Sequence, residues 1–141
     1  MAAGAFLKEL GDERGQVEAS SAGVAAREGH PATPEAIAVA AADGVDLGAH
    51  RSRRVTPALV RASDLVLVME SGQLGTVQAL GADSKRTHVL SDWPEPGDPG
   101  LPVSDPFGAS REAYEECWRR IRHHVKRLVP RVREALRARS M

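Results

Sequence analysis

Apolar and polar positions follow one another along the chain in a pattern that predicts helices separated by short strands. The alanine-rich stretch Ala2–Leu10 places its large apolar side chains on one helical face, and Gly11 follows as a stop. Asp64–Met69 is continuously apolar after its aspartate, which is typical of a strand covered on both faces of a parallel sheet. Beyond Ser110, apolar residues recur at three- and four-residue steps as far as Leu136, which predicts a long amphipathic helix.

Two Thr-Pro pairs predict further helix starts, because threonine is a good N-cap and proline suits the first helical position. The first pair begins at Thr33 and its helix is expected to end at Gly44, and the second begins at Thr56. Pro130 is expected to kink the last helix. The pattern also predicts a weak strand at Gln16–Ser21, a helix around Leu74–Leu80 and a short strand at Thr87–Leu90. Helices alternating with short strands indicate an α/β fold, a three-layer sandwich with a central parallel sheet.

Prolines and glycines crowd the stretch Trp93–Asp105, which predicts a long structured loop without a helix or strand of its own. Loops of this length inside a compact domain are often functional. At its end, Asp105 precedes Pro106, and a carboxylate held at the rim of an α/β sheet is well placed to donate a proton to a departing oxygen. The simpler interpretation is that this Asp-Pro pair initiates the turn before the last helix.

Composition narrows the class of protein. A chain of 141 residues with 42% apolar and 27% charged residues is an ordinary globular sequence, expected to form one domain over residues 1–141. Lysine plus arginine and aspartate plus glutamate balance at 19 each, and aromatics are 4%, so we expect no nucleic-acid partner. No apolar run approaches the roughly 20 residues that span a bilayer, and no signal peptide is recognisable. We therefore expect no membrane association and a cytoplasmic location.

Metal and cofactor motifs are missing from the sequence. Cys117 is the single cysteine, which excludes an internal disulfide framework, and its place on the apolar stripe favours a core position. His123 and His124 are adjacent, so on a helix they point about 100° apart and do not share a metal ion. No glycine-rich nucleotide loop is present. The sequence predicts neither a metal nor a cofactor.

Five motifs, in order and with consistent spacing, resemble the low-molecular-weight protein tyrosine phosphatases. That family includes protein-arginine phosphatases and the related thioredoxin-coupled arsenate reductases. The resemblance implies a Rossmann-like fold and a phosphorylated protein or a small phosphate ester as substrate. It runs over essentially the whole chain, through Val17–Gly23, Gly29–Ala32, Gly44–Arg53, Ala62–Met69 and Asp105–Gly108.

The resemblance also implies roles for single residues. Asp105 matches the family's general acid and base, and Phe107 stands where an aromatic side chain forms a wall of the substrate slot. Ser21 and His50 match positions that support the phosphate loop by hydrogen bonding. Each has a simpler alternative, which is loop packing for Phe107 and the capping of a strand end and a turn for Ser21 and His50. Surface charge is the simpler role for the two neighbouring arginines, Arg51 and Arg53.

The family's nucleophile loop, Cys-x-x-x-x-x-Arg-Ser-Pro, has no counterpart in this sequence. In the family, helix N–H groups around this loop lower the cysteine pKa, and the thiolate attacks phosphorus. Residues 1–6 look like the family's first helix just after the Ser-Pro pair. The nucleophile and the first strand, which the family places inside the sheet, are therefore expected to be missing from this N-terminally incomplete domain. Either the native protein is longer at its N-terminus, or the sheet has closed up or recruited a strand from another chain.

The leading hypothesis is a cysteine-dependent phosphoprotein phosphatase, of which the 141 residues form a truncated and inactive chain, with phosphotyrosine as the first expected substrate. Phosphoarginine stays open, because the loop residues that set specificity are absent. Arsenate reduction is disfavoured, because those enzymes relay electrons through additional cysteines and Cys117 stands alone. The alternatives are a non-catalytic relative that acts as a binding module, or an assembly module whose exposed sheet edge recruits a partner's strand. The sequence does not give the physiological substrate or the oligomeric state.

Overall fold

The computed structural model describes residues 1–24, 28–94, 103 and 106–140. It contains five helices and two strands within those ranges. The helices are α1 (Ala2–Leu10), α2 (Pro34–Ala41), α3 (Pro57–Ala62), α4 (Gly72–Ala79) and α5 (Arg111–Ser140), and the strands are β1 (Val66–Val68) and β2 (Thr87–Val89). Short 3-10 turns occupy Gly11–Gln16, Ser84–Arg86 and Leu90–Asp92. No helix of the described chain is both long and apolar enough to cross a membrane.

The sheet separates two apolar clusters. Strands β1 and β2 pair in parallel, and the connection between them passes through α4, as in a β-α-β unit. Leu67 packs against the larger cluster, formed mainly by α1, α2 and α5, whereas Val66 and Val68 face the smaller cluster with residues of α3 and α4. Helices therefore cover both faces of a parallel sheet, which confirms the predicted α/β architecture.

Local capping signals in the sequence produce the predicted helix starts. The Thr33 hydroxyl accepts a hydrogen bond from the Ala36 amide at 3.3 Å, and the Thr56 hydroxyl accepts one from the Leu59 amide at 3.1 Å. Each threonine is followed by a proline at the first position of its helix. These two starts are confirmed, since both signals act within a single turn of chain.

The end of α2 was predicted too late. The helix ends at Ala41 rather than at Gly44, and a turn continues to the glycine, which adopts φ 79°. The Val45 amide donates to the Ala40 carbonyl, so the turn closes on the last part of the helix. Gly44 therefore supplies the positive φ that the sequence signal indicated, but it does so after the helical hydrogen bonding has ended.

Helix α5 is the largest contributor to the core. Tyr114, Cys117, Ile121 and Val125 lie buried along its inner side, and Cys117 is only 7% exposed, which confirms its predicted core position. The helix continues through Pro130, which lies on its exposed side. Its N-terminus is capped by the Ser110 hydroxyl, which accepts a hydrogen bond from the Ala113 amide at 3.3 Å.

Asp43 joins three helices. Its carboxylate accepts hydrogen bonds from the Trp118 indole and from the Arg122 guanidinium, each at 2.6 Å. Its backbone carbonyl accepts a further bond from the Lys8 ammonium on α1. The Trp118 hydrogen bond, together with the Arg122 and Lys8 charges, lowers the pKa of Asp43. This cluster fixes α1 and the turn after α2 against α5.

The predicted strand Gln16–Ser21 is absent. Gly11–Gln16 forms a 3-10 turn, and residues 17–22 follow without pairing to a strand of the described chain. A strand requires a neighbour for its backbone groups, and an apolar pattern does not supply one. Strand β1 shows a related departure, because Val66 and Leu67 are only half-buried where coverage on both faces was expected.

Candidate active site

The N-terminal end of α1 lacks the side chains that usually neutralise the start of a helix. Met1 makes no side-chain capping bond, and the first turn contains no acidic residue. The unpaired N–H groups of such a helix end carry partial positive charge and attract anions. Burial lowers the pKa of the Met1 amine, and the charge interaction with Cys117 partly opposes that shift. The start of α1 therefore lies against the inner side of α5.

His50, one of the predicted phosphate-loop supports, lies in the same cationic region. Its pKa is lowered first by burial and then by the positive charges of the Met1 amine, Arg51 and Arg53. The imidazole is half-buried. All four causes disfavour a second proton on the ring, so the surroundings of His50 favour a neutral imidazole next to positive charge.

The segment that follows His50 is held against the segment that contains Ser21. The Arg53 side chain donates a hydrogen bond to the Ser21 carbonyl at 3.1 Å, and the Gly23 amide donates to the Arg53 carbonyl at 2.9 Å. Arg51 donates to the carbonyls of Gly48 and His50, at 3.1 and 2.7 Å. Both arginines are exposed, yet each fixes backbone. The structure thus links the segments of Ser21 and His50 through Arg53.

Phe107 is placed on the turn that leads into α5, with its side chain 77% exposed. The Ala109 amide closes this turn on the Pro106 carbonyl at 2.9 Å, and Gly108 adopts φ 78°. Asp105, together with most of the predicted loop Trp93–Asp105, lies outside the described residues. The role expected of Asp105 therefore stays a prediction.

Trp93 is a feature of this region that the sequence reasoning did not assign to the site. Strands β1 and β2 are parallel, so their carboxyl ends meet at one edge of the sheet, where α/β folds bind ligands. Trp93 follows β2 at that edge, half-buried, and stacks on His88 with ring centroids 5.6 Å apart. An aromatic residue three positions beyond a short predicted strand was the available signal.

Two other kinds of site receive no support in the described part of the chain. No group of three or more histidine, cysteine, aspartate or glutamate residues is arranged to hold a metal ion there. An open groove of about 200 Å³ lies between α2 and α5, lined by Asp43, Trp118 and Arg119 among others. None of the predicted site residues lines this groove, so we place the candidate site at the uncovered end of α1.

The sequence profile of the family described as low molecular weight phosphotyrosine protein phosphatase matches residues 1–138. The chain belongs to this family. Its order of motifs and its parallel sheet with helices on both faces agree with that assignment, and the family resemblance predicted from the sequence is confirmed.

Relatives of known structure and curated sequence are similar over most of the chain. "Probable low molecular weight protein-tyrosine-phosphatase EpsP" of Ralstonia nicotianae is 33% identical over 118 residues, which are 83% of this chain and 78% of EpsP. Wzb of Vibrio vulnificus, solved in complex with benzylphosphonate, superposes with a TM-score of 0.79 at 28% identity over 92% of this chain and 87% of that one. The YwlE arginine phosphatase of Geobacillus stearothermophilus gives a TM-score of 0.78 at 27% identity, over 95% and 84% of the two chains.

Proposed function

We propose that this chain is the greater part of a cysteine-dependent protein-tyrosine phosphatase and that residues preceding Met1 complete its single domain. The completing segment would supply the first strand and the Cys-x5-Arg loop, and without it the 141-residue chain has no phosphatase turnover. Phosphorylated proteins, and small phosphate esters in the test tube, would be its substrates. The observation that carries the proposal is the placement of His50, with Arg51 and Arg53 beside it, close to the start of α1, where the completing loop would end.

The sheet supports the need for another strand. Residues 17–22 pair with no strand of the described chain, although the sequence predicts a strand there, and β1 is half-buried at two of its three positions. A strand lying between residues 17–22 and β1 would give both segments a hydrogen-bonding partner and would bury Val66 and Leu67. Its carboxyl end would lead into α1, so a loop between them would lie at the uncovered helix end.

The chemistry proposed for the completed site divides between the loop and this chain. The loop thiolate attacks phosphorus, the bond from phosphorus to the leaving oxygen breaks, and Asp105 donates a proton to that oxygen. Water then hydrolyses the phosphocysteine, with Asp105 now accepting the proton. Phe107 would contact the aromatic ring of the substrate. His50 and the Ser21 segment would hold the loop, because Arg53 already ties these two segments together.

A grafted chain tests the proposal directly. The N-terminal segment of EpsP, from its first strand through its phosphate loop, is fused in front of Met1, and hydrolysis of 4-nitrophenyl phosphate is measured. We expect turnover from the grafted chain and none above background from the 141-residue chain. The matched control replaces the loop cysteine of the graft with serine. Turnover that survives this control, or a folded grafted chain without activity, would contradict the proposal.

Asp105→Asn in the grafted chain tests the general acid. A good leaving group such as 4-nitrophenolate needs little protonation, whereas phenolate needs it strongly. We expect the substitution to lower kcat about 10²- to 10⁴-fold for phenyl phosphate and much less for 4-nitrophenyl phosphate. Equal losses for the two substrates would remove Asp105 from this role.

The mass of the protein isolated from its natural source distinguishes the completed enzyme from a binding module. A strand of about 5–6 residues plus the loop would raise the mass above 15.1 kDa by roughly 1.5–2 kDa. A mass that equals that of residues 1–141 would favour a relative that binds without turnover.

The grafted chain carries the specificity-setting loop of EpsP, so it tests only what this chain's own residues contribute to the choice between phosphotyrosine and phosphoarginine. YwlE is named an arginine phosphatase, and its TM-score of 0.78 is close to the 0.79 of Wzb, so this second substrate has a specific basis. Phe107, an exposed aromatic at the rim, favours an aryl phosphate because aromatic rings stack. We expect phosphotyrosine peptides to be hydrolysed faster than phosphoarginine peptides, and a Phe107→Ala variant to narrow that difference.

A further inference from the structure

His124 is a polar side chain buried completely inside the fold, with 0% of its surface exposed. It lies on α5, in a position that the apolar stripe of the helix would assign to the core. Its ring nitrogen Nδ1 is 3.3 Å from a terminal nitrogen of the Arg127 guanidinium, one turn further along the helix. The same nitrogen of Arg127 donates a hydrogen bond to the backbone carbonyl of Ser91 at 3.2 Å.

The direction of these bonds follows from the chemistry of the groups. A guanidinium donates hydrogen bonds and accepts none, so Nδ1 of His124 accepts and the ring carries its proton on Nε2. Burying an imidazole without partners is costly, and the Arg127 contact offsets part of that cost. Because Arg127 contacts both groups, the buried ring restricts the guanidinium to orientations that reach the Ser91 carbonyl.

Arg127 differs from three exposed cations of the same helix. Lys126, Arg131 and Arg137 are exposed, and none of them has an ion-pair or hydrogen-bond partner among the residues that the structure describes. Arg127 is half-buried and bridges two elements. A solvated charged face explains why the first three side chains are exposed. It does not explain why Arg127 is half-buried and His124 fully buried.

The position of Ser91 connects its contact with Arg127 to the candidate site. It belongs to the 3-10 turn Leu90–Asp92 that follows β2 at the carboxyl edge of the sheet. Leu90 anchors this turn in the core, and Trp93, directly after it, stacks on His88. The turn is therefore held from the sheet side by the aromatic stack and from the α5 side by Arg127.

We infer that His124 and Arg127 form a brace between α5 and the turn after β2 and are positioning residues for residues 91–93 at the carboxyl edge of the sheet, where the phosphate site is proposed. Their catalytic consequence rests on the proposed phosphatase function, whereas the brace itself does not. Asp105 follows residues 91–93 in the sequence, so its proposed proton donation is the step at which the effect of a displaced turn is tested.

Amide hydrogen exchange on the 141-residue chain tests the brace without any need for activity. Arg127→Met keeps an unbranched apolar stem and removes the guanidinium with its hydrogen bonds, and Arg131→Met is the matched control on the same helix. We expect the amides of residues 91–93 to exchange about five- to tenfold faster in Arg127→Met, with the α1 and α5 core amides unchanged. Arg131→Met should leave all of them unchanged. Unaltered exchange at residues 91–93, or equal acceleration throughout the chain, would overturn the inference.

Kinetics of the grafted chain test the positioning role. Arg127→Met should lower kcat more for phenyl phosphate than for 4-nitrophenyl phosphate. Arg127→Lys should recover part of the lost kcat for phenyl phosphate, because an ammonium group can still donate to the Ser91 carbonyl. Equal losses on both substrates would reduce Arg127 to a stabilising residue. An inactive parent graft would count against the proposed function alone, since the exchange experiment still decides whether the brace exists.

Discussion

At the scale of single residues, His50 reports most directly on the electrostatics of the candidate site. Burial and three positive neighbours lower its pKa below the ordinary value of about 6.5. The unfolded chain therefore binds this proton more readily than the folded one. The His50 contribution to stability is complete above about pH 6.5 and is lost as the pH falls through the lower pKa of the folded protein.

Replacement of one positive neighbour should reverse part of this shift. In Arg53→Gln, we expect the NMR titration midpoint of the His50 ring to rise, because a cation that disfavours ring protonation is removed. Arg54→Gln is the control, since Arg54 is not among the charges that act on His50. An unchanged midpoint in Arg53→Gln would exclude the Arg53 charge as a cause of the lowered pKa, and an equal rise in both variants would show that the effect is not specific to Arg53.

Some of these functional residues could be recognised from a local sequence motif, and others could not. Ser21 and His50 could be proposed from the sequence because they sit inside motifs of the family, and the structure links their segments through Arg53. His124 could not, since spacing alone shows a histidine within an apolar stripe and gives no sign of a buried acceptor. That ring contacts Arg127, which also donates a hydrogen bond to the carbonyl of Ser91, 36 residues away in the sequence.

At the scale of elements, the end of α1 depends on the backbone freedom of one glycine. Gly11 adopts φ 64°, which non-glycine residues reach only with strain, and open space surrounds the position where its Cβ would lie. Gly15 has equal space without a positive φ. We expect Gly11→Ala to lower the free energy of unfolding by about 1 kcal/mol and Gly15→Ala to leave it unchanged or slightly raised.

Urea unfolding of the two alanine variants measures this difference, since the two substitutions share chemistry and space and differ in backbone conformation. A similar loss in both variants would mean that α1 ends for another reason. The contacts of Arg133 with the Glu9 and Leu10 carbonyls, at 3.3 and 3.1 Å, would be that reason, because they also satisfy the last carbonyls of the helix.

The helices could be predicted from the sequence more accurately than the sheet. Capping by Thr33, Thr56 and Ser110 acts over three residues, so these starts follow from the local sequence. The strand expected at Gln16–Ser21 depends on a neighbour elsewhere in the sheet, and no local pattern reports whether that neighbour is present. The proposed completion of the domain would explain both the wrongly predicted strand and the half-burial of β1, because one added strand would lie beside both segments.

At the scale of the whole molecule, a short sheet lies between the two apolar clusters of the described chain. The larger cluster joins α1, α2 and α5, the smaller joins α3 and α4 to the sheet, and the two strands described between them are three residues long. Such a narrow sheet gives few backbone bonds and little apolar cover to hold the clusters together. An added central strand would pair on both edges and place side chains into both clusters.

The grafted chain should therefore be more stable than the 141-residue chain, by an amount that reflects an added inner strand. We expect its urea midpoint to rise and the amides of residues 17–22 and of β1 to become protected from exchange together, because one strand would serve as partner to both. The matched control is a graft of equal length in which the strand is replaced by a Gly-Ser sequence and the loop is kept. If that control protects the same amides, or if only one of the two segments gains protection, the strand does not lie between them. The proposed completion of the domain would then give way to recruitment of a strand by the exposed edge of β1 from another chain.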